Sequence, residues 1–155
     1  MRPFVHLHTH TEYSLQDGIS RLPDMVQKAK ELGMPALAIT DHGNMCGAVY
    51  FYKEAVNAGI KPIIGCEVYV TEGSRFDKES SVTGKHERLK HLILLAENME
   101  GYGNIVKIVS RGFTEGFYRK PRVDHDLLRQ FNKGIIALSA CIQGEVPQYI
   151  LQDHP

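Results

Sequence analysis

The apolar positions change period several times along the chain, and each change marks an element. Phe4–Leu7 reads as a short strand that runs straight into a histidine cluster. From Leu22 to Leu32 the residues Leu22, Met25, Val26, Ala29 and Leu32 recur at helical spacing, and Gly33 supplies the stop. Pro35 precedes ALAIT, a short apolar run expected as a buried strand. Asn44 is the expected cap of a second helix carrying Ala48, Phe51, Tyr52 and Ala55, which Gly59 ends. Ile60 to Val70 contains the strand IIGCEVYV. The polar stretch Glu72 to Arg88 reads as an exposed loop, after which the run LILLA begins at Leu92. Tyr102 to Arg111 is expected to be helical, Asp124 to cap a short helix over HDLLRQF, and Gly134 to precede the strand IIALSA. A last helix begins at VPQYILQ, with Pro147 near its first turn.

About five strands alternating with helices predict parallel strands joined by right-handed crossovers. Five such units do not close a barrel. With the chain ending at Pro155 near an incomplete helix, the expectation is a fragment of a larger α/β barrel, and a small open α/β sheet is the alternative.

Composition narrows the class. The 155 residues are 43% hydrophobic and 23% charged, enough for one globular core. Lys+Arg and Asp+Glu are equal at 18 each, so net charge gives no general attraction to nucleic acid and leaves only local patches to consider. Cys46, Cys66 and Cys141 form no close cluster, which favours free thiols in a reducing compartment. The opening MRPFVHLHTH lacks the apolar stretch of a secretory signal, and a cytoplasmic protein without membrane association is expected. P-loop, dinucleotide-fingerprint and GxSxG patterns are all missing, which removes the usual nucleotide-hydrolase, oxidoreductase and serine-esterase readings.

The residues that remain for chemistry gather at strand ends. His6, His8 and His10 have the two-residue period of a strand, and two imidazoles on one face suit a divalent ion. His6 lies deeper and is expected to be a satisfied core histidine or a support for the ligands. Asp17 follows in the first loop. Asp41 and His42 come directly after ALAIT, where α/β folds place ligands, although Asp-His-Gly also suits a plain tight turn. Glu67 interrupts an apolar strand, so if it points inward it requires a metal or a salt bridge, and adjacent Cys66 then packs on the opposite side. Cys141 ends IIALSA, as a zinc-type ligand or as a buried free thiol. His91 precedes its apolar run, and in an all-parallel sheet it falls at the wrong end. Metal-type residues at several strand ends point to a multinuclear hydrolytic centre and to phosphate-ester hydrolysis.

The segments HLHTHTEYSLQDG, ALAITDHGNMCGAVYFYKEA, GIKPIIGCEVYV, HLILLAEN, GYGNIVKIVSR, FYRKPRVD and GIIALSACIQGEVPQ resemble the polymerase-and-histidinol-phosphatase (PHP) domains at the amino terminus of bacterial replicative DNA polymerase III alpha subunits of the DnaE type. The likeness runs from Phe4 to Gln152. HxH or TDHG alone would indicate only the wider superfamily, whereas their combination with FYRKPRVD and ALSAC is specific to the polymerase branch. The resemblance implies a distorted TIM-like (β/α)7 barrel with a trinuclear centre, usually zinc, with manganese or iron as alternatives. It implies that residues 1–155 are the amino-terminal portion of the PHP domain, with its remainder and the polymerase palm, fingers and thumb lying beyond.

By the same resemblance His8 and His10 hold one ion with Glu67, which bridges to a second ion held by His91 and Cys141, and Asp17 and His42 contribute to a third. Asp41 is implied as a group that orients ligands or water. Two further family ligands, an aspartate and a histidine one residue apart, belong to a later motif. The implied activities are DNA synthesis from deoxynucleoside triphosphates at a separate Mg²⁺ site and 3′–5′ exonuclease proofreading at the PHP centre. Implied partners are a DNA primer-template, the rest of the polymerase, the sliding clamp and other replisome subunits, and a separate exonuclease subunit. A metal-stabilised PHP domain without turnover and a free-standing histidinol-phosphatase-like enzyme are the alternatives. Two basic groups, Lys85, Arg88 and Lys90, and Arg119, Lys120 and Arg122, are candidate phosphate contacts on the barrel rim or simply a solvated face.

Overall fold

The repeat that begins at Leu22 forms α1 (Leu22–Glu31), with Pro23 in the first turn, where its missing N–H costs nothing, and with Leu22, Val26 and Ala29 buried. The computed structural model describes residues 4–78 and 89–152, so Lys85 and Arg88 lie outside the described residues. Next come β1 (Ala36–Ile39), α2 (Ala48–Ala58), β2 (Lys61–Val70), β3 (Lys90–Ala96), α3 (Met99–Thr114), β4 (Arg122–Val123), α4 (His125–Gln130), β5 (Ile135–Leu138) and α5 (Glu145–Leu151). Gly59 ends α2 in the left-handed region, and the Asp124 carboxylate caps α4 by accepting from the Leu127 N–H. Asn44 does not cap α2; Gly47 occupies that position, and Asn44 braces the preceding turn through Cys46 N and the carbonyls of Tyr13 and His42.

One open five-stranded sheet carries these helices, in the order β1-β2-β3-β5, with β4 also paired to β2. The all-parallel expectation holds for β1 with β2 and for β4 with β2, and fails for β3, which runs antiparallel to both β2 and β5. The segment between β2 and β3 is polar and has no apolar repeat from which a crossover helix could be built, so the chain returns beside the strand it left. Phe4–Leu7 is likewise not a strand. It runs extended beside β1, with Ala38 N donating to His6 O, but at Thr9 the Thr40 hydroxyl takes the backbone N–H and interrupts the ladder.

Among the described residues the core lies in two large clusters and a smaller one of Ala38, Ile93 and Leu95. Leu22, Val26, Leu37, Ile39, Phe51 and Ile60 close the space between α1, α2 and β1. Cys66, Val68 and Val70 on one face of β2 pack with Leu94, Ile105, Ile108, Val123 and Leu127 under α3 and α4. At about 1.5–3 kcal/mol for each fully buried large side chain, these clusters fix which face of β2 turns inward. No helix among the described residues is long and apolar enough to cross a membrane.

Candidate metal centre

The strand period that sends Cys66, Val68 and Val70 into the core sends Glu67 and Tyr69 to the opposite face. There the Glu67 side chain is only 1% exposed, yet four imidazoles surround it. His8 Nε2 lies 2.5 Å and His10 Nε2 3.3 Å from Oε2, while His91 Nδ1 contacts Oε1 and His42 Nδ1 lies 3.6 Å from it. His8 Nε2 and His10 Nε2 are themselves 3.1 Å apart. His42 turns its other nitrogen to Asp17 Oδ2 at 3.0 Å, and Cys141 Sγ lies 3.7 Å from His91 Nδ1. The seven residues expected as ligands therefore form one connected set.

Backbone geometry explains the convergence. The chain leaving β1 continues beside β2, with Glu67 N donating to Asp41 O and Gly43 N to Glu67 O, which sets His42 next to Glu67. Gly43 is left-handed (φ +63°), and a Cβ there would stand 2.7 Å from Pro121 Cγ. Asp41 is buried and touches none of the imidazoles. Its carboxylate accepts from Thr11 N, Thr11 Oγ1 and Ser14 Oγ, and so ties the loop between His10 and Asp17 to the end of β1. His91 arrives at this end of the sheet because β3 is antiparallel: its register partner is Tyr69. His91 N also donates to Gln143 O, which ties it to the turn carrying Cys141.

The electrostatics fit a cation-binding cluster. Burial works against the Glu67 carboxylate, but hydrogen bonds from His10 and His91 and the charges of His42 and His91 outweigh it and hold the group far below the usual carboxylate range. The hydrogen bond to Glu67 raises His10 despite its burial, whereas burial and neighbouring His10 lower His42 and favour the neutral, ligating form. Burial pushes the Cys66 thiol up, so that side chain acts as packing.

Two groups could each hold an ion, His8 with His10 and Glu67, and His42 with Glu67 and His91, sharing the one carboxylate. In a tetrahedral site with bonds of about 2.1 Å, ligand atoms lie about 3.4 Å apart. The separations of 3.1, 3.3 and 3.6 Å lie near that value, while His8 and His91 each stand closer to Glu67 and would have to draw back around an ion. His42 Nδ1 is also buried without a hydrogen bond, and a cation between it and Glu67 Oε1 would supply the missing partner. The donor set of imidazoles, a carboxylate and a nearby thiol suits zinc-like ions. The second group pairs His42 with His91, where the resemblance implied His91 with Cys141.

Several other expectations change. His6 is exposed, its ring edge-on to Phe4, and is not a core residue. Arg122 is 2% exposed, and its guanidinium donates to the carbonyls of Gly116, Arg75 and Asp77, so it braces these loops. Lys90 lies 3.6 Å from Glu72. The exposed Arg119 sits over the ring of Tyr118. Lys90 and Lys120 both line a cavity of about 520 Å³ that opens onto Asp17, His42 and His91. Tyr69, absent from the sequence candidates, is part of the same wall. It stacks on His42, meets His91 edge-on, and burial raises its phenol to about 12. Its place two residues beyond Glu67 on one strand was the available signal.

The PHP domain family matches residues 6–155. Three DNA polymerase III alpha subunits are similar in sequence. That of Thermus aquaticus is 51% identical over 97% of this chain and 12% of its own length. That of Chlamydia pneumoniae is 50% identical over 96% and 12%, and that of Treponema pallidum is 52% identical over 96% and 13%. The chain thus spans about an eighth of the length of these relatives.

Proposed function

Because the chain belongs to the PHP domain family, we propose that it is the amino-terminal PHP portion of a bacterial replicative DNA polymerase alpha subunit and that its metal centre hydrolyses phosphodiesters as a 3′–5′ proofreading exonuclease. The observation that carries the hydrolytic reading is the convergence of His8, His10, His42 and His91 on the buried carboxylate of Glu67. Identities near 50% to the alpha subunits support the polymerase context.

His8, His10 and Glu67 would hold one ion, and Glu67, His42 and His91 a second, with Asp17 and Cys141 at the edges as further ligands. Zinc is the ion proposed, with manganese or iron as substitutes. Bound divalent ions would lower the pKa of a coordinated water and neutralise charge developing on phosphoryl oxygens. The chain's own residues supply the frame. Glu67 offers its carboxylate to both groups, His42 offers an imidazole whose protonation burial disfavours, and Asp41 fixes the loop that carries His10 and Asp17. In the whole protein, DNA synthesis would occur at a separate Mg²⁺ site, and the partners would be a primer-template, the clamp and other replisome subunits in the cytoplasm, with a separate exonuclease subunit as a further candidate.

The test uses intact protein purified free of any separate exonuclease. It should remove nucleotides from a mismatched primer 3′ end, and Asp17→Asn or His42→Ala should abolish this while primer extension survives. Metal-replete protein that degrades neither matched nor mismatched primers would make the centre structural. Rapid hydrolysis of histidinol phosphate would make the substrate class wrong.

A further inference from the structure

We propose that Lys120 and Tyr69 form an anion-binding pair on the wall of the metal cavity that holds the non-bridging oxygens of the substrate phosphate. This rests on the phosphoester reading of the site and adds to it a residue pair that recognises the phosphoryl group directly.

The ammonium of Lys120 is placed by two neutral oxygens, Gln16 Oε1 at 2.5 Å and the Tyr69 hydroxyl at 3.4 Å, and lies 5.0 Å from the Tyr69 ring centroid. No carboxylate ion-pairs with it among the described residues. The contrast with Lys90, also on the cavity wall but beside Glu72, is direct. An ammonium has three donors, so two neutral acceptors leave both its charge and a donor for an incoming anion. Gln16 immediately precedes Asp17, and Tyr69 follows Glu67 on the same strand face. Lys120 therefore joins the two walls that carry the ligands.

The backbone is built to hold this lysine in place. Arg119, just before it, is a non-glycine residue in the left-handed region (φ 61°), and Tyr118 N donates to Lys120 O across the resulting tight turn. Just after it, Pro121 packs against Gly43, and β4 pairs with Tyr69 and Val70. A left-handed non-glycine residue costs stability unless its surroundings enforce it. Among the described residues the other such residue is Ala140 (φ 60°), which immediately precedes Cys141, the neighbour of His91. The Tyr69 hydroxyl lies on the same cavity wall and keeps its own proton to donate while its lone pair accepts from Lys120.

The phosphate source is separable from the site by using inorganic phosphate as the probe. Titration calorimetry of the metal-loaded intact protein should show Lys120→Met binding phosphate about tenfold or more weakly, the scale of losing one charge-assisted hydrogen bond, at unchanged metal content. Lys120→Arg should stay within about threefold, and wild-type affinity should fall with ionic strength more steeply than that of Lys120→Met. Should the Met variant fail to fold, Lys120→Gln and Tyr69→Phe provide the same comparison, the latter keeping the ring and losing only the hydroxyl. Equal phosphate affinity in wild type and in folded Lys120→Met or Lys120→Gln overturns the proposal, as does a wild type that binds no phosphate. If phosphate binding depends on Lys120 while no primer is ever degraded, the anion site stands and the exonuclease reading falls.

Discussion

Tyr69 and His91 are register partners across the antiparallel pair of β2 and β3, and their rings meet edge to face at 5.3 Å. This pairing brings the amino end of β3 beside the carboxyl end of β2, so an imidazole that precedes its strand reaches the same carboxylate as imidazoles that follow theirs. His91→Ala should therefore remove the ion held with His42 and spare the one held by His8 and His10, a loss of about one equivalent. Elemental analysis after gel filtration checks this, with His8→Ala as the reciprocal case. Unchanged metal content in folded His91→Ala would exclude His91 as a ligand.

Glu67→Gln keeps the size of the side chain and removes the charge shared by both groups. Metal content should fall at both, and nuclease turnover should drop at least ~100-fold, the upper end of what loss of even an outer-shell partner costs a metal site. If Glu67 instead served only as a buried salt-bridge partner, the variant would lose stability and keep near-normal turnover per folded molecule.

Asp124 links the fold beneath the site. It caps α4 and forms a buried ion pair with Arg75, which also binds Glu115. Removing Asp124 takes away the α4 cap and one of the two carboxylates on buried Arg75, with Glu115 left as the other, so Asp124→Ala should cost about 2–4 kcal/mol in urea unfolding. Burial works against the Asp124 carboxylate, but hydrogen bonds from the Arg75 and Leu127 amides and the Arg75 charge hold it below its ordinary value. A depressed folded-state pKa contributes stability that is complete above the unfolded value, about pH 4, and is lost as pH falls through the folded value. The stability gap between wild type and Asp124→Asn should thus be constant at neutral pH and shrink below about pH 4. A gap that widened on acidification would contradict the assignment.

Gly43 is left-handed, and any Cβ would meet Pro121. Gly43→Ala should destabilise the protein by about 1–2 kcal/mol from backbone strain alone, with more from the clash. A thermal midpoint equal to that of wild type would show that the turn relaxes freely.

The elements and the ligands were legible to different degrees. Helical spacing from Leu22 and from Ala48 marked α1 and α2, because each buries one stripe, and the carboxylate inside IIGCEVYV marked Glu67, because an isolated charge in an apolar strand needs a partner. Strand direction was not legible. Nothing in the run LILLA states which neighbour it pairs with, so His91 could be placed only by resemblance. Local composition also cannot separate a basic residue that braces loops from one that faces a cavity: Arg122 and Lys120 stand two apart and have opposite fates. Tyr69 was missed because a tyrosine in an apolar strand gives no sign by itself, and only its spacing from Glu67 places it on the site face.

Sharing of Glu67 by two metal ions would be visible in anomalous diffraction from crystals of the zinc- or manganese-reconstituted protein. Two or more anomalous peaks should flank the Glu67 carboxylate, one in contact with His8 and His10 and another with His42 and His91. A fully reconstituted crystal with no peak there, and with the four imidazoles hydrogen-bonded to Glu67 alone, would show that the carboxylate bridges no ions.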